Sequence, residues 1–219
     1  MANKLILPIG EGWRHQTIMA QDEIASSIAD LVERLGRLVR SRGYAHDLNP
    51  AQWEALRYLG RCNRFSNNPS ALASFLSATK GTVSQTVSSL ERKGLVIKVP
   101  RPGQGRSLSL VLTARGRAML ARDPIGDLKA AAIELGPCAG QLAGQLQHLL
   151  AECQALYRTR TFGRCRTCLY FQREAVGGGP HRCNLMGARI DAEEAQQICA
   201  EHVPDDMAGV RLGAPADPL

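Results

Sequence analysis

Nowhere in the 219 residues is there an uninterrupted run of about 18 apolar side chains, the length a helix needs to cross a bilayer. The amino terminus lacks a charged region leading into an apolar stretch and a cleavage site, so no secretory signal is expected. Also missing are a glycine loop followed by Lys-Ser/Thr, a nucleophile with a companion base, and a Cys-x3-Cys-x2-Cys radical signature. These absences exclude a membrane span and speak against an enzyme, and the expectation is a cytoplasmic protein. Seven cysteines in such a compartment argue against a disulfide framework and for metal or redox chemistry wherever they cluster.

Acidic residues are scarce in one stretch. Between 80 and 122, nine basic residues (Lys80, Arg92, Lys93, Lys98, Arg101, Arg106, Arg115, Arg117, Arg122) face only Glu91, so nine less one leaves +8 where the whole chain carries +7. Basicity concentrated in this way points to phosphate, and hence to nucleic acid.

The same stretch has a readable pattern. Leu72 and Leu76 lie one helical turn apart, a turn over Ser77 to Thr79 follows, and Val83, Val87 and Leu90 repeat at helical spacing. Two helices joined by about four residues make a helix-turn-helix. Past Gly94 the pattern becomes β-type: Leu95, Val96, Ile97 and Val99, then Pro102-Gly103-Gln104-Gly105, then alternating Leu108, Leu110 and Leu112. That is a hairpin, or wing. Capping residues frame the helices: Asn49-Pro50 and Asn68-Pro69 each open one, and Thr79 can cap the second helix of the motif.

Leu72-Ala73, Lys80-Gly81-Thr82-Val83-Ser84, Leu90-Glu91-Arg92-Lys93-Gly94-Leu95-Val96, Arg106 and Leu112-Thr113-Ala114-Arg115-Gly116-Arg117 together resemble the MarR-type winged-helix transcriptional regulators. The family usually has an Asp two residues before the wing-tip Arg, where Gln104 stands here, so the acid that steadies Arg106 is missing. With Val83, Val87 and Leu90 turned to the core, Ser84, Gln85, Ser88 and Arg92 face outward toward a major groove. Gln85 can pair with adenine through two hydrogen bonds and is the leading base reader, with Ser84 and Ser88 weaker. The plain alternative for each is an exposed helix residue. Thr82 belongs to the same candidate interface. Lys80, Lys98 and Arg101 are expected on phosphates, and Arg106 in the adjacent minor groove.

The apolar positions Ile18, Ile24, Ile28, Leu31, Val32, Leu35, Leu38 and Val39 make one long amphipathic helix ending at Gly43. Asp123-Pro124 should break the helix begun at Thr113. Leu128 to Leu135 and then Leu142, Leu146, Leu149, Leu150, Cys153 and Leu156 resume the helical pattern. The family resemblance implies that these helices form a homodimer.

The resemblance ends near Tyr157. Beyond it, Cys165-x2-Cys168, Cys183 and Cys199 place four thiols in a segment with no comparable apolar core, which asks for a metal centre. One pair and two separated singles, rather than two pairs, favours a 4Fe-4S cluster over the alternative, zinc. Cys165-Arg166-Thr167-Cys168-Leu169-Tyr170-Phe171 and Cys183-Asn184-Leu185-Met186-Gly187 resemble the high-potential iron-sulfur proteins, although the aromatic residues that family carries around its last cysteine are replaced by Ile198-Cys199-Ala200-Glu201-His202. Arg158, Arg160, Arg164, Arg166, Arg173 and Arg182 face only Glu174 and would balance the charge of four thiolates. His181 and His202 are substitute ligands at most. Gly177-Gly178-Gly179 reads as a flexible loop, and Cys62, Cys138 and Cys153 as small buried hydrophobes.

The expected architecture is therefore mainly α with a small β wing. It comprises an arm at 1–14, a dimerisation helix at 15–48, the winged helix-turn-helix at 49–122, carboxy-terminal dimerisation helices at 123–160, the four-cysteine segment at 161–203 and a disordered tail at 204–219. The expected function is a homodimeric regulator, a repressor, on a pseudo-palindromic double-stranded DNA operator. A cluster sensing redox, oxygen, nitric oxide or iron would control it by shifting the helices on which the appendage packs. The alternatives are a structural zinc site with control by a small ligand, and an electron-transfer protein.

Overall fold

A computed structural model of the chain describes residues 11–101, 107–173 and 181–205, and over 11–20 the helical path alone. The expectations for most of the arm, for Gln104 and Arg106 at the wing tip, for the Gly177-Gly178-Gly179 loop and for the tail from 206 lie outside the described residues.

The chain runs α1 (Glu11–Arg42), α2 (Pro50–Leu59), α3 (Pro69–Phe75), α4 (Lys80–Arg92), β1 (Val96–Pro100), β2 (Leu108–Leu112), α5 (Ala114–Leu120), α6 (Gly126–Ile133) and α7 (Cys138–Leu156). Five short strands follow: β3 (Gly163–Arg164), β4 (Phe171–Gln172), β5 (His181–Cys183), β6 (Ala188–Ile190) and β7 (Ile198–Cys199). Four helices start where a side chain satisfies an otherwise orphan backbone donor. Asn49 accepts from Gln52 N at 2.9 Å while Gln52 returns a bond to Asn49 N, closing a capping box. Asn68 accepts from Ala71 N, Thr79 from Thr82 N and Thr113 from Gly116 N, at 2.9, 3.1 and 2.9 Å. Helix α1 begins at Glu11, inside the stretch expected to be an extended arm.

Burial of apolar side chains, worth about 1.5–3 kcal/mol for each large residue, drives these elements together. Trp53, Leu56 and Tyr58 of α2, Leu72 of α3, Val83, Val87 and Leu90 of α4, and Leu95, Val96 and Leu110 beside or within the wing are all essentially inaccessible to water. The wing is an antiparallel pair with Val96 opposite Leu112 and Pro100 opposite Leu108. Between α5 and α6 the expected break is buttressed from α2, because the Arg57 guanidinium grips both carboxylate oxygens of Asp123 at 2.7 and 2.9 Å.

Helices α6 and α7 contain no buried residue, and the described part of α1 contains none either. The reading of Cys138 and Cys153 as buried hydrophobes is thereby corrected: Cys138 is exposed and Cys153 half-buried, because α7 stands clear of the winged-helix core. Cys62 is buried as expected.

The four-cysteine segment folds as two small antiparallel sheets, β3 with β7 and β4-β5-β6, which the sequence pattern did not reveal. The expectation placed it on the helices that follow the winged helix, whereas its described hydrogen bonds and ring contacts run mainly to the α2–α3 region. Its main seat is the loop between α2 and α3. Ile198 N donates to Arg61 O at 2.8 Å, Asn63 N to Ile198 O at 2.9 Å and Ala200 N to Ser66 Oγ at 2.8 Å. Phe162 stacks edge-on against Tyr58 and Phe75, with ring centroids 6.2 and 5.1 Å apart. The α2 face and this loop offer apolar rings and backbone hydrogen-bonding groups together, which explains why the segment settles here.

Candidate nucleic-acid interface and four-thiol site

Helix α4 buries Val83, Val87 and Leu90 and leaves Lys80, Thr82, Ser84, Gln85 and Arg92 exposed, with Ser88 half-buried. The 100° step per residue makes this division, because an apolar stripe one turn apart sends the residues between it to the opposite side. The Thr82 hydroxyl lies 2.9 Å from that of Thr79 at the helix start. The helix is held in place from behind: Gln52 Nε2 donates to Ser89 Oγ at 2.9 Å, and Lys93 Nζ reaches Asp47 O and the Gln52 side chain. Its outward side chains are thus presented to solvent on a fixed backbone.

Two residues expected on phosphates are engaged within the chain. Lys98 is paired with Glu91 at 2.7 Å. Arg101 turns inward: Nε donates to Ser109 Oγ at 2.9 Å, and Nη2 donates to Asn67 Oδ1 at 2.6 Å and to the carbonyls of Arg64 and Phe65. The guanidinium fork suits this, because it can donate to several fixed acceptors at once. Arg101 is a strut between the wing base and the α2–α3 loop, and Leu110 N donates to Asn67 O at 2.6 Å beside it.

The four cysteines line one narrow cavity with Tyr170, Phe171, Leu185, Met186, Ile190 and Glu201. Cys165 sits in a 3-10 turn, Cys183 pairs with Phe171 across β4-β5, and Cys199 pairs with Gly163 across β3-β7. Cys165 and Cys199 are hydrogen-bonded to each other, and that bond is the main reason the Cys199 thiol is drawn down to about 6 while Cys165 is pushed well above the ordinary thiol range. Asn63 stands beside both. It is 1% exposed, and its Nδ2 donates to Cys165 Sγ at 3.3 Å and also acts on Cys199. The Glu201 backbone amide and the Ser66 hydroxyl also donate to Cys199. Donors aimed at sulfur stabilise thiolate over thiol, which is the form that binds metal.

These donors and the apolar walls fit a thiolate-bound metal. Among the described residues, however, no three His, Cys, Asp or Glu side chains are gathered tightly enough to hold an ion. His202 and His181 take no ligand position: the His202 Nε2 lies 3.0 Å from Thr167 Oγ1, and His181 stacks on Phe171 at 4.9 Å. Nothing in the sequence pattern marked Asn63, Ser66 or Arg64, since their partners lie more than 100 positions away.

Two apolar-backed helices, an outward recognition face and a hairpin behind it define a winged helix-turn-helix. Residues 46–107 match the model described as the MarR family. A crystal structure of a MarR family transcription regulator has the same fold, with a TM-score of 0.52 at 18% identity over 68% of this chain and 97% of its own. The S. aureus MepR-DNA complex superposes at 0.49, with 18% identity over 57% of this chain and 96% of its own. BldR from Sulfolobus solfataricus superposes at 0.49, with 19% identity over 62% of this chain and 97% of its own. No curated protein matches the sequence. No helix among the described residues is long and apolar enough to cross a membrane.

Proposed function

We propose that the chain is a homodimeric transcriptional regulator, a repressor, that reads a pseudo-palindromic operator through α4 and is controlled by a metal centre on Cys165, Cys168, Cys183 and Cys199. The observation that carries the DNA reading is the face of α4, where Lys80, Thr82, Ser84, Gln85 and Arg92 are exposed on a helix whose other side is fixed in the core. Dimerisation is supported by apolar side chains that a lone chain leaves in water, among them Leu31 and Leu38 of α1 and Leu146 and Leu150 of α7, all between 45% and 58% exposed. A two-fold pair of such heads would meet half-sites about 34–36 Å apart.

For the metal, the cysteine spacing favours a 4Fe-4S cluster, which supplies a group that oxidation, nitrosylation or iron loss can take apart. Zinc is the second reading, because four thiolates can close a tetrahedral shell around one ion. Control requires two states that the bound centre distinguishes. The chain supplies a route between them. Asn63 holds the thiols with its amide and shapes its own loop with its oxygen, which accepts from Phe65 N and Ser66 N at 3.1 and 3.0 Å. That loop carries the acceptors of Arg101 at the wing base. Movement at the thiols therefore reaches the wing through 61–67, rather than through the spacing of the dimer helices.

Anaerobically purified protein tests the metal. A brown solution absorbing near 400 nm, with iron and sulfide in equal amounts, is the expected result, while a colourless protein with one zinc per chain overturns the cluster. On DNA, Lys80→Ala should weaken binding to all sequences and lower the salt slope by about 0.9 for each phosphate that it ceases to neutralise, whereas Gln85→Ala should relax base preference at one position of each half-site. Unchanged base preference in the Gln85 variant would remove α4 as the reader.

A further inference from the structure

The β4-β5-β6 sheet has two unlike faces. Its register sets Gln172 opposite Arg182, and Arg182 opposite Arg189, so that three side chains form a row across the sheet. All three are exposed. The alternate residues Phe171, Cys183 and Ile190 point the other way and line the thiol cavity, as the two-residue period of a strand requires. A thiol site needs the inner face, but it does not need the outer one to carry two arginines side by side.

Like charges directly opposite on neighbouring strands destabilise a sheet. Three acids of the segment are directed elsewhere. Glu194 pairs with Arg64 at 3.0 Å, Glu201 pairs with Arg160 at 3.0 Å, and Asp191 accepts from Glu194 N. Arg182 and Arg189 have no ion pair among the described residues. Two desolvation-tolerant, planar donors held in fixed register, without counter-charge, match an anion with repeating oxygens.

The position of the row says which anion. Arg64 joins it to the wing: its guanidinium donates to Arg189 O, while its own carbonyl accepts from Arg101 at the wing base. The arginine row therefore begins one side chain from the wing hairpin. A wing laid along DNA has a phosphate backbone beside it, and a neighbouring cationic surface continues along that backbone past the half-site.

We infer that Gln172, Arg182 and Arg189, on the outer face of the four-cysteine segment, form a second DNA-contacting surface that grips backbone phosphates flanking the half-site read by α4. The inference rests on the DNA-binding reading above. Guanidinium-phosphate contacts of this kind position a protein and carry no base code. The surface should add affinity and salt dependence without adding sequence preference.

The test measures operator affinity of the full-length protein from low to moderate salt, on a duplex of two half-sites and on one extended by about 10 base pairs at each end. Wild type should bind the longer duplex more tightly. The double variant Arg182→Ala/Arg189→Ala should lose that gain, weaken binding at 0.1 M salt by at least about tenfold, and lower the salt slope by about 3.6, which is about 0.9 for each of four phosphates in a dimer. Arg182→Lys/Arg189→Lys, which keeps the charge, should restore most of it. If the alanine pair keeps the length-dependent gain and the slope, the surface is not a DNA contact. If the alanine and lysine pairs lose affinity equally and both melt earlier, the arginines are merely structural and the inference falls. Should Lys80→Ala weaken binding while the alanine pair does not, the inference alone fails; should wild type bind no duplex, the DNA reading fails with it.

Discussion

Replacing Gly116 by alanine is expected to cost the winged helix about 3 kcal/mol or more, at the upper end of what overpacking a core does, and to lower its melting temperature by roughly 10 °C. Gly116 is the third residue of α5, and its amide donates to the Thr113 cap at 2.9 Å. A β-carbon there would overlap the Leu95 carbonyl and press on Leu112 Cδ2 at 3.3 Å. Leu95 cannot yield, because it is 1% exposed, its N–H is bonded to Leu90 O at 3.0 Å, and its carbonyl accepts from Thr113 N at 3.1 Å. Backbone meets backbone at this crossing of α5 over the start of the wing, and no rotamer change relieves it. Gly81→Ala is the companion measurement. Its added carbon would meet only Thr79 Oγ1, at 3.8 Å, so alanine's better helix propensity should leave stability unchanged or raise it by up to about 1 kcal/mol. Thermal melts of the two variants side by side decide the matter. Equal melting temperatures would mean that α5 does not cross the wing this closely.

Asn63→Ala should be nearly as damaging, by a different route. The side chain accepts from two loop amides with its oxygen, those of half-buried Phe65 and buried Ser66, and donates to Cys165 with its nitrogen. Alanine takes the side-chain acceptor from the Phe65 amide, whereas Ser66 N keeps the Asn63 carbonyl at 3.1 Å, so a loss of about 1–3 kcal/mol is expected in urea denaturation of metal-free protein. In the proposed metal site the same change withdraws a donor from the cysteine sulfurs, and partners of that kind are typically worth about 10–100-fold in metal affinity. Competition with a chromophoric chelator reads the second effect separately. A variant that is destabilised yet holds its metal as tightly as wild type would show that Asn63 shapes the loop without tuning the thiols.

Much of the winged helix was legible in the sequence, because its determinants are local. Asn49, Asn68, Thr79 and Thr113 announce helix starts within three residues of the amides they cap, and Val83, Val87 and Leu90 reveal the core face of α4 by spacing alone. The break at Asp123-Pro124 was visible, although its salt link to Arg57, 66 positions away, was not. Of the outward set on α4, Ser84, Gln85 and Arg92 are exposed and Ser88 is half-buried, while Arg101 is engaged within the chain. Its charge suggested phosphate, but the acceptors that hold it belong to a loop 34–37 residues earlier, which no periodicity signals. The four-cysteine segment was the harder case. Its ligand candidates were evident from spacing, yet its two-residue and three-residue strands are too short for alternation to show, and its seat on 61–66 is set by single hydrogen bonds between distant residues.

That seat also orders events in time. Asn63 and Cys165 are separated by 102 residues, Arg64 and Arg189 by 125, and Ser66 and Ala200 by 134. Chains fold from the amino terminus as they are made, and contacts of high separation close last. The winged helix, whose contacts lie mostly between 49 and 122, can therefore assemble while the four cysteines are still being translated. They find their place only on a finished surface. Closure of the four-cysteine segment is accordingly the last folding step, and a chain whose segment is still open would already present a folded winged helix.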